Sequence, residues 1–97
     1  MPEWVLDRQK DLRNRRRHGL SLASGIPALE DPLALSRPDP HPDGDRWQTV
    51  GSAASVVTLF VVCTDPGSMP DGRQEGRIIS VRKASAYERK AYESGDF

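Results

Sequence analysis

The feature that most constrains the fold is a single apolar run, Val56 to Cys63, which is rich in β-branched residues and interrupted only by Thr58. This run suits one strand buried on both faces, and it is far shorter than the roughly 20 residues that a membrane-spanning helix needs. Apolar residues make up only 36% of the whole sequence. We therefore expect residues 1–97 to form a single domain with a small core built around this strand, and no membrane contact.

Capping residues define the predicted helices. Asp7 is a good N-cap and Gly19 a good C-terminal stop for a first helix. The next segment is expected to form only a short or kinked helix, because Pro27 would break a regular one. Ser85 and Glu88 form a capping box that opens a final helix.

Strand character appears in three segments besides the apolar run, and loops rich in proline and glycine separate some of them. These segments are residues 33–37, 46–51 and 77–83. Strands joined by short loops favour an antiparallel meander with helices packed against it. The sequence therefore predicts an α+β fold with three to four strands.

Charge is balanced overall but unevenly distributed along the chain. There are 14 basic and 14 acidic residues, which excludes a uniformly basic nucleic-acid binder. Residues 7–20 and residues 73–92 each contain six Lys or Arg and two acidic residues, whereas residues 21–72 are acidic. Either the two basic blocks meet on one face and attract anions, or each is a solvated surface.

Few residues suit metal or covalent chemistry. The single cysteine, Cys63, ends the apolar run, where it is expected to be a buried apolar residue rather than a nucleophile. His18 and His41 are far apart in sequence, and the acidic, proline-rich loop around His41 is expected to be solvated. We therefore predict no metal site and no cofactor. Because the first residues do not resemble a secretory signal, we also expect a cytoplasmic location.

Arginines are the strongest candidates for a binding site. Arg77 and Arg82 lie on the last predicted strand, Arg46 begins another, and Arg17 with His18 ends the first helix. A guanidinium group offers a rigid fork of donors to phosphate, although the same side chains can instead form structural ion pairs. Likewise, His18 can act on a substrate or simply cap the helix. Regular alternation puts Arg77 and Arg82 on opposite faces, so both reach one phosphate only if a bulge or twist turns one of them.

These residues belong to a longer ordered pattern. Its segments are Asn14-Arg15-Arg16-Arg17-His18-Gly19, Asp31-Pro32, Asp45-Arg46, Gly51, Arg77-Ile78-Ile79-Ser80-Val81-Arg82-Lys83-Ala84 and Glu88-Arg89-Lys90-Ala91-Tyr92-Glu93. In this order they resemble the BrnT family of toxins from bacterial type II toxin–antitoxin modules, over nearly the whole chain from Trp4 to Gly95. Arg17 stands where the family pattern has lysine, a change that keeps a phosphate contact but not a proton-transferring amine.

The resemblance implies a RelE-like fold, in which a small antiparallel sheet is flanked by N-terminal helices and a C-terminal helix. It also implies a ribonuclease that inhibits translation and is neutralised by a BrnA-like antitoxin. Contact with DNA would then be indirect, through the antitoxin. The alternative is a catalytically inactive relative that binds its antitoxin or RNA without cleaving.

For a ribonuclease that uses no metal, we predict two groups of site residues. The catalytic candidates are His18, Arg77, Arg82 and Glu88, and the RNA-binding candidates are Arg13, Arg17, Arg46 and Lys83. His18 is the expected general acid or base, with Glu88 as an alternative base. Arg77 or Arg82 would stabilise the charge of the reacting phosphate, and Arg46 or Arg17 would be the second clamp. His41 and Tyr92 also stand at family-like positions.

Overall fold

The fold is described for residues 2–54 and 57–97 of a computed structural model. In chain order the elements are β1 (Glu3–Val5), α1 (Arg8–His18), a 3₁₀ helix (Leu22–Gly25), α2 (Ile26–Glu30), β2 (Leu35–Pro38), β3 (Arg46–Ala53), β4 (Val57–Thr64), β5 (Gly67–Ser68), β6 (Gln74–Lys83) and α3 (Ala86–Ser94). Val56, the first residue of the predicted apolar strand, lies outside the described residues. The α+β class is confirmed.

The sheet is larger than the sequence predicts. Within the described residues it has six strands, in the order β1-β6-β4-β3-β2 with β5 paired to β6, rather than three to four. Strands β2, β3, β4 and β6 form the expected antiparallel meander. Strand β1 pairs with β6 in parallel, so the sheet is mixed. Strands β1 and β5 have only three and two residues, too few to show an alternating pattern.

The core lies between one face of the sheet and the segment formed by the 3₁₀ helix and α2. Its buried side chains are Leu22, Ala28, Leu59, Val61, Ile78 and Val81. Two glycines allow the close approach: a Cβ on Gly25 would lie 2.8 Å from Val81 Cγ2, and a Cβ on Gly51 would overlap the Ala28 carbonyl. Pro27 lies in the first turn of α2, where its missing N–H costs little. The helical segment is therefore divided before Pro27 into the 3₁₀ helix and α2.

Helix α1 covers the edge of β6 beyond the end of β1. Asn14 on this helix is 5% exposed. Its Nδ2 donates to the carbonyls of Val81 (2.8 Å) and Leu20 (2.8 Å), and its Oδ1 accepts from the Val81 N–H (3.0 Å). This amide replaces the neighbouring strand that the edge lacks at Val81. The predicted boundaries of the helix, Asp7 and Gly19, are confirmed.

Tyr92 ties helix α3 to Asp31, the residue that follows α2. The Tyr92 hydroxyl donates to Asp31 Oδ2 (2.5 Å), and the same oxygen accepts from the Ser52 N–H (2.8 Å). The Tyr92 hydrogen bond, followed by those from two backbone N–H groups, holds the pKa of Asp31 below its usual 3.8. The capping box predicted at the start of α3 is present. In the described ranges, no helix has the length and apolar character required to cross a membrane.

Candidate functional site

A cationic cleft runs between α1 and β6. It consists of two grooves, of about 270 and 740 Å³, that share Lys10 and Ile79. We use the name cationic cleft for these grooves, whose basic and histidine side chains are Lys10, Arg13, Arg17, His18, Arg46 and Arg77. No acidic side chain of the described residues lines the narrower groove, whereas Asp43, Asp45 and Asp65 also line the wider one. Parts of the two basic blocks of the sequence therefore do meet on one surface.

The orientation of α1 places a basic stripe along the cleft. Lys10, Arg13 and Arg17 follow i, i+3, i+7 spacing and so share one helix face. The buried hydrogen bonds of Asn14 to Val81 fix the rotation of the helix about its axis. As a result, the stripe faces Ile79 and Ser80 of β6 across the narrower groove.

A β-bulge in β6 determines the direction of Arg77. The pairing of β6 with β4 skips Ile79, which leaves one extra residue on β6. The extra residue reverses the alternation, so Arg77 and Arg82 lie on the same face of the sheet. They are nevertheless five positions apart, about 16 Å along a strand, and the Arg82 guanidinium is engaged by Glu88 and does not line the groove of Arg77.

Arg77 instead has Arg46 as its neighbour in the cleft. Arg46 pairs across the sheet with Thr64, and the Arg77 N–H donates to Thr64 Oγ1 (2.9 Å). Two strand spacings separate the backbones of the two arginines by about 10 Å, so their guanidinium groups can converge on one phosphate between them.

The Arg46 guanidinium is incompletely satisfied. Its Nε is buried and has no hydrogen-bond partner within the described residues. The Asp45 carboxylate lies 3.9 Å from this nitrogen, which is too long for a hydrogen bond. Buried polar groups normally have partners, so the described residues leave the hydrogen bonding of Arg46 incomplete.

His18 lies at the inner end of the basic stripe. It is the last residue of α1 and is half-buried in the narrower groove. The imidazole makes no hydrogen bond within residues 2–54 and 57–97, and the Arg15 carbonyl at the helix end is satisfied by the Gly19 N–H (2.9 Å). The ring is therefore available to a bound substrate.

Three predicted site residues lie outside the cationic cleft. The Arg82 guanidinium donates to both Glu88 oxygens (2.8 and 2.9 Å) and lies 4.0 Å from the centre of the Phe60 ring. Burial raises the pKa of Glu88, but the hydrogen bonds from Arg82 and Ser85 outweigh it and hold this pKa below 4.5. Lys83 is exposed at the end of β6 and lines neither groove.

Lys10 is the basic residue of the cleft that the sequence prediction of the site omitted. It lines both grooves, whereas each of the predicted cleft residues lines only one. Its place in the i, i+3, i+7 stripe was the available signal, because any surface that receives Arg13 and Arg17 also receives Lys10.

Three potential metal ligands lie at the rim of the cleft. One donor atom each of His41, Asp43 and Asp45 lie within 4.8 Å of one another. They belong to the loop before β3, in which the Asp43 N–H donates to His41 Nδ1 (3.1 Å), so local turn geometry accounts for the grouping. The absence of a metal site stays a prediction.

Comparisons with known proteins identify the family. Residues 6–88 match the family described as ribonuclease toxin, BrnT, of type II toxin–antitoxin system. Among solved structures, the chain is similar to the Brucella abortus ribonuclease toxin BrnT, whose crystal structure has 1.1 Å resolution. The TM-score is 0.66 and the identity 23%, with 88% of this chain and 99% of that chain covered, so this likeness concerns the fold. No curated protein matches the sequence. The family match covers most of the sequence, and the chain therefore belongs to the BrnT family of ribonuclease toxins of type II toxin–antitoxin systems.

Proposed function

We propose that this chain, as a single domain over residues 1–97, is an endoribonuclease that inhibits translation and has the cationic cleft as its active site. The observation that carries the proposal is the juxtaposition of Arg46 and Arg77 with the basic stripe of α1, at whose end His18 lies. Phosphate-binding groups and a group able to transfer protons thus line two grooves that share Lys10 and Ile79, and cleavage of an RNA phosphodiester requires both kinds of group.

The chemistry is transesterification within the RNA. The 2′-oxygen attacks the adjacent phosphorus while its proton passes to a base. The bond from phosphorus to the 5′-oxygen breaks and that oxygen takes up a proton, leaving a 2′,3′-cyclic phosphate and a 5′-hydroxyl. Arg77 and Arg46 stabilise the growing negative charge, and one such donor is worth about 10²–10³ in rate. His18 transfers one proton, worth about 10²–10⁴, and Lys10 is the candidate for the other.

The remaining predicted residues take supporting roles in this proposal. Arg13 and Arg17 bind phosphates that flank the cleaved bond, because they line the α1 side of the narrower groove. Arg82 and Glu88 satisfy each other and stabilise the junction between β6 and α3. Lys83 contacts RNA only outside the cleft.

Partners follow from the family and from the charge of the cleft. A type II toxin has an antitoxin, and we propose a BrnA-like protein that covers the cleft with acidic and apolar residues. Contact with DNA is then indirect, through that antitoxin, and an RNA substrate places the activity in the cytoplasm. A helix-flanked sheet of this size is also what we expect of a RelE-like toxin.

The test is cleavage of a short, 5′-labelled RNA by the purified protein. We expect a 2′,3′-cyclic phosphate product, activity that persists in EDTA, and no cleavage where the attacking 2′-hydroxyl is replaced by hydrogen. His18→Ala should lower the rate by about 10²-fold or more. The matched control is Arg16→Ala, which removes an exposed arginine of the same helix that lines neither groove.

Three outcomes would contradict the proposal. Products with a 5′-phosphate, or activity abolished by EDTA, would refute the mechanism. A wild-type protein that binds RNA but does not cleave it would instead support the alternative of an inactive family member.

A further inference from the structure

A second cavity adjoins the cationic cleft on the core side of the sheet. Its volume is about 400 Å³, and both tryptophans of the sequence, Trp4 and Trp47, line it, so we name it the tryptophan pocket. The pocket and the cationic cleft lie on opposite faces of the sheet, and they share Trp47, Thr64 and Asp65 at the end of β4. A chain bound in the cleft would reach the pocket by passing around this end of the sheet.

The sheet register brings the two indole rings into the pocket from separate strands. Trp4 on β1 lies over Gly76, where a Cβ would be 2.6 Å from Trp4 Cζ3. Trp47 on β3 pairs with Cys63 of β4. Strands β6 and β4 lie between β1 and β3, so the backbones that carry the indoles are about 14 Å apart. Cys63 lines the pocket together with the two indoles.

The polar groups of the pocket are unequally available. Ser36 and Thr49 share a hydrogen bond (2.7 Å), and Asp31 is occupied by Tyr92 and backbone N–H groups. Burial, followed by the charge of Asp65, raises the pKa of Cys63 to about 11, so this side chain is a neutral thiol. The Asp65 carboxylate is exposed and accepts no hydrogen bond from the described part of the chain. It is therefore the acceptor that an entering group would meet.

We propose that the tryptophan pocket binds a base of the RNA whose backbone lies in the cationic cleft, and that guanine is the base it selects. This inference rests on the proposed function. Indole rings stack on bases of any kind, so Trp4 and Trp47 supply affinity. Selectivity comes from Asp65, because guanine presents two adjacent donors, N1–H and the 2-amino group, to the two oxygens of one carboxylate.

The test measures tryptophan fluorescence in a Trp47→Phe variant, because Trp4 lines the pocket and neither groove of the cationic cleft, whereas Trp47 lines both cavities. The probe is a short RNA, 2′-O-methylated throughout to prevent cleavage, that contains one guanosine. A matched probe has inosine, which lacks the 2-amino group. Binding is measured independently by the anisotropy of a dye on the RNA. We expect tryptophan quenching to saturate together with the anisotropy, and the inosine probe to bind about tenfold more weakly or worse.

Two variants separate stacking from selectivity. Trp47→Leu should weaken binding of the guanosine probe about 5- to 150-fold. Asp65→Asn should bring the ratio of guanosine to inosine affinity close to one, whereas Glu93→Gln, which removes an exposed carboxylate of α3, should leave it unchanged. The ratio is the readout, because removing a carboxylate beside the cationic cleft strengthens binding of every RNA. Since Asp65 is exposed, its variant is expected to fold even if Trp47→Leu does not.

The outcomes distinguish the two proposals. RNA that binds by anisotropy without changing tryptophan emission would overturn the base pocket and leave the proposed function intact. Quenching by the antitoxin but not by RNA would overturn it in favour of a protein-docking pocket. RNA that does not bind at all would refute the proposed function, and the base pocket with it.

Discussion

Replacing Asn14, which also lines the narrower groove, by alanine should destabilise the protein strongly, because its side chain holds α1 against β6. The side chain makes three hydrogen bonds to backbone groups: two to Val81 and one to Leu20. Val81 is fully buried, so water cannot readily replace these bonds. The change therefore leaves the edge of β6 with an unsatisfied N–H and an unsatisfied carbonyl.

The magnitude follows from the number of bonds. Three buried hydrogen bonds at about 0.5–1.5 kcal/mol each amount to about 1.5–4.5 kcal/mol, and the unsatisfied groups left behind favour the upper half of that range. Alanine has a higher helix propensity than asparagine, which offsets about 0.5 kcal/mol of this loss of stability. We therefore expect a loss of about 3 kcal/mol in the free energy of unfolding, or about 12–24 °C in Tm for a domain of this size.

Urea unfolding of the wild type and of Asn14→Ala measures this loss, with Gln9→Ala as the control. Gln9 is exposed on the same helix, so its replacement should change the free energy of unfolding by less than about 0.5 kcal/mol. A loss below about 1 kcal/mol for Asn14→Ala would refute the idea that this amide satisfies the edge of β6.

Three further predictions concern stability and partner binding. Arg82→Ala should lower the free energy of unfolding in urea by about 1–3 kcal/mol, because it leaves the mostly buried Glu88 carboxylate without its cation. The folded fraction of this variant should still cleave RNA, and loss of cleavage would show that Arg82 belongs to the active site. Asp31 and Glu88, whose pKa values are lowered in the folded state, stabilise the protein above their usual values of 3.8 and 4.5 and lose that contribution as the pH falls through the folded pKa. Tyr92→Phe should therefore shrink the loss of stability between about pH 7 and about pH 3, and an unchanged loss would contradict the role of the Tyr92 hydrogen bond. The association rate of the antitoxin should fall as salt rises, because attraction between exposed charges is screened beyond about 8–10 Å near physiological ionic strength; a rate indifferent to salt in stopped-flow mixing would rule out a partner that covers the cationic cleft.

Local signals predicted most of the fold. Asp7 with Gly19 and Ser85 with Glu88 mark helix ends through short-range hydrogen bonds, so their sequence patterns were sufficient. The meander followed from the apolar run and its neighbouring segments. Strand β1 could not be predicted, because it forms by parallel pairing with a strand about 70 residues away. Local sequence patterns do not indicate such long-range pairing.

The site was predicted only in part, for a similar reason. Arg13 and Arg17 were predicted as RNA-binding residues and do line the cationic cleft, but strict alternation along β6 gave the wrong relation between Arg77 and Arg82. The bulge at Ile79 depends on how β6 pairs with β4, which is a property of the assembled sheet. Likewise, Arg82 forms an ion pair with Glu88 instead of lining the cleft, and this depends on where the turn before α3 places Glu88.

The most direct test of the cationic cleft as an active site compares the RNA-cleavage rates of Arg77→Ala and Arg16→Ala under single-turnover conditions. Each variant removes one exposed arginine and one positive charge, but only Arg77 lines the cleft. We predict that Arg77→Ala cleaves about 10²–10³-fold more slowly than the wild type, while Arg16→Ala stays within about twofold. Equal rates for the two variants would contradict the assignment of the active site.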